Sequence, residues 1–267
     1  MADHLLGFIG TGNMGGALVR AACKKDPSQV LIFNRTREKA QALADECGCT
    51  VAESAAEIAE KAQYIVLGVK PAQVAGVLNE LRPILEARTD AVLVSMAAGV
   101  TLEKLSALCP LPAIRIMPNT PCAAGEGLTL LCADARVGRA QIDGLKDALS
   151  ASGLFDEIDE SLFNAAGTLS GCGPAWAYMF IEALADGAVA CGVPRAKAML
   201  YASQMLRGAA ANALASGLHP GQLKDAVCSP GGSTIEGVAA LENGAFRASV
   251  IEAVRASYDK TVAMEKE

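Results

Sequence analysis

Through roughly the first 160 residues, short runs of consecutive apolar residues alternate with stretches whose apolar positions recur at helical spacing. Residues 5–9, 30–33, 64–69, 91–96, 113–117 and 127–132 are unbroken or nearly unbroken apolar runs. Such runs mark strands buried on both faces of a parallel sheet. A last strand is expected over 154–158, and 36–46 reads as a helix with its charges on one face. Strands alternating with helices define a doubly wound α/β sheet, which binds ligands at the C-terminal ends of its strands. Near residue 160 the pattern changes. The remaining sequence is Ala-rich and helical, punctuated by Gly and Pro, with helices expected over 175–191, 200–214 and 246–264. Two domains are therefore predicted, 1–160 and 161–267, the second all-α.

The first strand runs directly into Gly10-Thr11-Gly12-Asn13-Met14-Gly15, and Ala17-Leu18-Val19 continues as a helix would. Strand, Gly-x-Gly-x-x-Gly, helix is the context that gives this pattern meaning as a dinucleotide site. Gly10 permits the tight turn, Gly12 lets a pyrophosphate reach the backbone, and Gly15 lets helix and strand pack closely. The helix N-terminus adds free N–H groups and a favourable dipole. The N-terminal domain is thus expected to be of the Rossmann type.

The second strand ends in Asn34-Arg35-Thr36, where a carboxylate would ordinarily bind the ribose 2′-hydroxyl of NADH. No carboxylate stands there to repel a 2′-phosphate. Arg35 offers a planar donor fork, Thr36 a hydroxyl, and Arg37 and Lys39 further positive charge. NADPH is the expected cofactor, with NADH as second choice. Lys70-Pro71, Ala97-Ala98 and Asn119 follow later strands and are expected to line the same site.

Late in the chain stands Ser229-Pro230-Gly231-Gly232-Ser233-Thr234, after His219-Pro220-Gly221-Gln222-Leu223-Lys224-Asp225. Pro230 cannot continue a helix, and the glycine pair allows a tight turn. Ser233 is the expected N-cap, with Glu236 completing a capping box. A helix starting there leaves N–H donors free for a small carboxylate, with the Thr234 hydroxyl beside it.

Composition narrows the class. The chain has 267 residues, is 52% hydrophobic, and carries a net charge of −6 with pI near 5.1. That balance gives no reason to expect nucleic acid or an anionic membrane as partner. No apolar run reaches the roughly 18 residues of a membrane span. No basic region precedes the first apolar run, so a first strand is expected there, not a signal peptide. Nine cysteines without a Cys-x-x-Cys pair suggest free thiols in a reducing cytoplasm. Only His4 and His219 are present, which argues against a zinc site or a Ser-His-Asp triad, and no metal is expected. Residues 175–191 contain only Glu182 and Asp186 as charges. A helix so apolar must be buried, and the helical half is small to surround it alone, so a homodimer is expected, with a higher assembly of dimers left open.

Four blocks of this sequence resemble the pyrroline-5-carboxylate reductase family: Phe8-Ile9-Gly10 through Gly15; Val69-Lys70-Pro71; Leu169-Ser170-Gly171-Cys172-Gly173-Pro174-Ala175; and His219 through Thr234. The first is shared with many dehydrogenases, and the last two are specific. The resemblance implies a Rossmann domain with an interlocked helical domain for substrate binding and dimerisation. It implies NADPH-dependent reduction of 1-pyrroline-5-carboxylate, a cyclic imino acid, to L-proline, the last step of proline biosynthesis. Cofactor contacts are then expected from Ile9, Gly10, Thr11, Gly12, Asn13, Met14, Asn34, Arg35, Thr36, Val69, Lys70, Pro71, Ala97 and Ala98. Substrate contacts are expected from Glu160, Gly232, Ser233 and Thr234, with Thr234 as the catalytic hydroxyl on the ring nitrogen.

The sequence departs from the family at Cys172, Trp176, Asn164 and Ala226. Three other readings share parts of the pattern. A β-hydroxyacid dehydrogenase would need a catalytic lysine, for which Lys197 and Lys224 are the candidates. An imine reductase for uncarboxylated imines would need no anion loop, and a non-catalytic regulator would bind NADPH without turnover.

Overall fold

The computed structural model describes residues 3–265. Eight strands form one sheet: β1 (His4–Ile9), β2 (Val30–Phe33), β3 (Thr50–Val51), β4 (Ala62–Leu67), β5 (Val92–Ser95), β6 (Ala113–Met117), β7 (Gly127–Ala133) and β8 (Gly153–Glu157). Their order is β3-β2-β1-β4-β5-β6-β7-β8, parallel throughout except for the β6–β7 pair. The helices between them are α1 (Asn13–Lys25), α2 (Arg37–Cys47), α3 (Ala55–Lys61), α4 (Pro71–Leu85), α5 (Leu102–Leu108) and α6 (Arg139–Ala148).

Alternation along each strand sorts the side chains into two cores, as the pleat demands. Leu6, Phe8, Tyr64, Val66, Val92, Val94, Ile114 and Ile116 face α1, α2 and α6. Ile9, Ile65, Leu67 and Leu93 face α3, α4 and α5 on the other side. This is the doubly wound sheet that the apolar runs predicted. The strand ends differ from expectation: β4 stops at Leu67 and β5 at Ser95, so Val69-Lys70 and Met96 lie in loops. Strand β3 was not anticipated, because two residues at the sheet edge, one of them exposed, carry no periodicity.

The rest of the chain is helical: α7 (Phe163–Ala190), α8 (Arg195–Ser216), α9 (Pro220–Val227), α10 (Ser233–Asn243) and α11 (Phe246–Glu265). Chain packing defines two compact units. One holds residues up to Gly171 together with those from Tyr258 onward, and the other runs from Cys172 to Ser257. The residue-160 change in pattern coincides with the 3-10 turn Glu160–Leu162 that leads into α7.

Within the second unit the closed core is small. Ala185, Ala198 and Ala202 pack with Ile181, Leu184 and Val193, and the Phe180 and Phe246 rings lie 5.6 Å apart. Arg195 pairs with Asp186 at 2.6 Å across the α7–α8 turn. Large apolar side chains remain exposed along its helices, among them Tyr178, Met179, Leu200, Tyr201, Met205 and Ile251. Among the described residues no helix is long and apolar enough to cross a membrane.

Candidate functional site

The nucleotide loop follows from close backbone approach. Gly10 takes φ +100, and its N–H donates to the Phe33 carbonyl at 2.8 Å. A Cβ on Gly10 would lie 2.6 Å from the Gly68 carbonyl oxygen, and one on Gly15 would lie 2.4 Å from that of Gly10. The loops after β1 and β4 are thus in contact at a position that admits no side chain. At Gly12 the situation reverses. A Cβ there would meet nothing within 4 Å, and Gly12 caps α1 without any side-chain hydrogen bond. The first amides of α1 are therefore open, as an anion site requires.

Around this opening stand the other expected residues. Ile9 closes β1, Asn13 and Met14 form the first turn of α1, and the Thr11 hydroxyl oxygen is buried without a partner among the described residues. A buried, unpaired hydroxyl in the phosphate loop is a group that a bound phosphate satisfies. The Asn34 side chain accepts from Thr11 N–H at 3.2 Å and donates to the Thr36 carbonyl at 3.0 Å. It braces the loop as well as bordering it. Arg35 and Thr36 are exposed at the start of α2, and Arg35 has no ion pair among the described residues. Arg37 does not join it as expected, because Glu53 takes its guanidinium at 2.6 and 2.9 Å.

Val69 borders the Gly10 turn, Lys70 precedes α4, and Pro71 occupies its first position, where no N–H is needed. Ala97 is buried after β5, its N–H bonded to the Ser95 hydroxyl at 3.3 Å, and Ala98 is exposed. Registers of Ile9 with Phe33 and Leu67, and of Leu67 with Ser95, bring these loops to one edge of the sheet. The residues present fit a phosphorylated dinucleotide.

Glu160 has a more complex setting than the sequence suggested. Its Oε1 accepts from Arg115 Nη1 at 2.5 Å and from Leu102 N–H at 2.7 Å. Arg115 is only 2% exposed and lies 4.4 Å from the Phe163 ring centroid, a cation–π contact. Its Nη2 has no hydrogen-bond partner among the described residues. A charge this deep demands a counter-ion, so Glu160 joins β6 to the starts of α5 and α7. Arg115 was missed among the site candidates, although a lone arginine inside the apolar run 113–117 was a visible signal.

In the second unit, His219 caps α9: its Nδ1 accepts from Gly221 N–H at 3.0 Å, and Gln222 accepts from His219 N–H at 3.2 Å. The following turn closes with Gly232 N–H donating to the Ser229 carbonyl at 3.0 Å. Gly231 takes φ +66, and a Cβ on Gly232 would sit 2.4 Å from Ser229 Oγ. The left-handed backbone at Gly231 favours glycine, and Gly232 packs against the Ser229 side chain. Ser233 is not the N-cap: α10 starts at Ser233, Gly232 caps it, and no side chain bonds its first amides. Gly232 takes the extended cap conformation one position earlier, with φ −81 and ψ 167. Ser233 and Thr234 are exposed, and the Thr234 hydroxyl has no partner among the described residues.

Lys197 is exposed on α8, and Lys224 on α9 pairs with Asp225 at 2.5 Å. All nine cysteines, Cys172 included, are free.

A doubly wound sheet with an open phosphate loop, in a chain whose helices carry a glycine-led turn free of side-chain capping, defines a dinucleotide-dependent oxidoreductase. Residues 160–264 match the family model for pyrroline-5-carboxylate reductase dimerisation, and residues 5–99 match that for coenzyme F420-dependent NADP oxidoreductases. The chain is 40% identical to the pyrroline-5-carboxylate reductase of Escherichia coli (strain K12), across 99% of both chains. It is 38% identical to that of Pisum sativum, covering 96% of this chain and 94% of the relative. The crystal structure of Plasmodium falciparum pyrroline carboxylate reductase with NADP bound superposes with TM-score 0.87 at 31% identity, over 99% of both chains. The chain belongs to the pyrroline-5-carboxylate reductase family.

Proposed function

We propose that this protein reduces 1-pyrroline-5-carboxylate to L-proline with NADPH, as a cytoplasmic homodimer. The observation that carries the reading is the start of α10 behind Gly231-Gly232, where no side chain bonds the cap amides, in a chain of this family. Bound at the loops of Gly10–Met14, Asn34–Thr36, Val69–Pro71 and Ala97-Ala98, NADPH supplies the hydride. Arg35 and Thr36 meet its 2′-phosphate. The amides of Gly232, Ser233 and Thr234 hold the substrate carboxylate, and the Thr234 hydroxyl orients the ring nitrogen. Hydride delivery to the imine carbon moves the C=N electron pair onto a nitrogen that already carries its proton. No side chain needs to titrate, and the protein's task is orientation and exclusion of water. Glu160, fixed by Arg115, borders the same substrate.

In functional terms residues 1–160 serve the cofactor, and 161–267 serve the substrate and the dimer. The exposed apolar rows of the second unit support a partner subunit.

Following NADPH absorbance with pyrroline-5-carboxylate, beside NADH and the uncarboxylated 1-pyrroline, tests the reading. Turnover confined to the carboxylated imine, faster with NADPH, is expected. Absence of turnover with either imine would redirect attention to hydroxy acids and to Lys197 and Lys224.

A further inference from the structure

Helix α7 contains Pro174 in its interior. A proline has no N–H, so the carbonyl four residues earlier, that of Ser170, loses its helical donor. Ser170 is 7% exposed, too deep for water to make good the loss freely. The donor comes instead from another element. Asn119, in the loop after β6, sends its Nδ2 to the Ser170 carbonyl at 3.0 Å. Its Oδ1 accepts from Leu128 N–H at 2.9 Å, so both ends of the amide are fixed and its orientation follows from the network. Asn119 is itself 8% exposed.

The same turn of α7 carries a second polar group. The Ser170 hydroxyl is buried and has no partner among the described residues. Asn119 leaves the sheet at the strand edge that also bears Ala97-Ala98, since Ser95 and Arg115 are in register. A polar turn is thus pinned at the ligand-bearing edge, with its carbonyl satisfied and its hydroxyl free.

We propose that Asn119 is a positioning residue for the reaction: its amide replaces the N–H missing at Pro174 and holds the Ser170 turn so that the Ser170 hydroxyl can meet an acceptor oxygen of a bound ligand. The functional part of this inference rests on the reductase reading. The acceptor belongs either to the cofactor or to the imino acid, and the kinetic arms below separate the two.

The test is a double-mutant cycle of Asn119→Asp and Pro174→Ala in the full-length enzyme. The Asp variant keeps the acceptor for Leu128 but loses the donor. The Ala variant restores an N–H at position 174, so Ser170 regains a helical donor and Asn119 becomes redundant for it. In the parent, Asn119→Asp is expected to lower kcat/KM about tenfold. In the Pro174→Ala background the same change should cost about twofold or less. An equal loss in both backgrounds overturns the proposal.

Ser170→Ala should lower kcat/KM while leaving the urea midpoint unchanged. A rise in KM confined to the imino acid identifies it as the partner, and one confined to NADPH identifies the cofactor. Unaltered kinetics in Ser170→Ala would remove the ligand role. If Asn119→Asp fails to fold, recovery of folding in the double variant supports the compensation, and failure there as well refutes it. The urea cycle is read without substrate. Coupling there, alongside a parent enzyme inert toward the imine, would sink the reductase reading and leave the donor replacement standing.

Discussion

The two compact units treat their apolar residues in opposite ways. In the nucleotide unit, strand residues such as Phe8, Ile32, Val66 and Val94 are fully buried, and helices cover both faces of the sheet. In the helical unit the closed core rests on three alanines, while Met179 is 68% and Leu200 63% exposed. A unit that completes its own core needs nothing beyond its own chain. One that leaves whole rows of Leu, Met and Tyr uncovered is built for a second surface. The difference between the two is one of self-sufficiency.

The sharpest way to break that contrast is to charge the open face. Leu200→Asp would place an unpaired carboxylate in the proposed subunit contact, at a cost of several kcal/mol. Light scattering should show monomers, with turnover down about a hundredfold or more. Unchanged mass and turnover would mean that nothing covers this face. Next in size, Thr234→Ala should lower kcat about a hundredfold, as loss of an oriented active-site hydrogen bond does elsewhere. Full activity with pyrroline-5-carboxylate would remove Thr234 from the catalytic role.

In the self-contained unit the corresponding weak point is electrostatic. Glu160→Gln strips the buried Arg115 of its counter-charge but keeps an acceptor oxygen on a half-buried side chain, and should reduce stability by about 1–3 kcal/mol in urea unfolding. Arg35→Ala should reduce kcat/KM for NADPH about tenfold and leave NADH untouched, the value of one charge-assisted contact. Equal losses with both cofactors would refute a 2′-phosphate role.

The smallest effect is acid stability at the sheet edge. Hydrogen bonds from Arg139 and then Lys146 hold the Glu157 carboxyl down at about 2, against an ordinary 4.5. A depressed carboxylate contributes stability above 4.5, and that contribution disappears as pH falls from 4.5 to about 2. Glu157→Gln should flatten the stability curve in this window, with a small loss of stability at neutral pH that disappears as pH falls toward 2.

Most of the nucleotide unit was legible because local pattern and global environment agree there. Residues 5–9, 30–33 and 113–117 are apolar enough to announce buried strands, and the glycine spacing announces the phosphate loop. What escaped depends on partners distant in sequence. Glu160 meets Arg115 across 45 positions, and Asn119 reaches Ser170 across 51. No periodicity encodes such pairs. The cap of α10 also differs from expectation: Ser233 has the right chemistry for an N-cap, but the extended residue is Gly232 and α10 begins at Ser233 itself. Likewise Arg37 looked free until the loop carrying Glu53 came beside it.

One contact has a consequence for modularity. Thr168 on α7 bonds Thr261 on α11 through their hydroxyls at 3.3 Å, so the chain departs toward the helical unit and comes back at adjacent points. A segment whose two ends meet can be treated as an insert. Joining Gly171 to Tyr258 through a short flexible linker should therefore yield a miniature protein that still folds around the sheet and retains NADPH, but has neither a dimer contact nor a carboxylate turn. Such a fragment would be a ready acceptor for helical cassettes from other imine-reducing enzymes, with the seam already placed by two threonines.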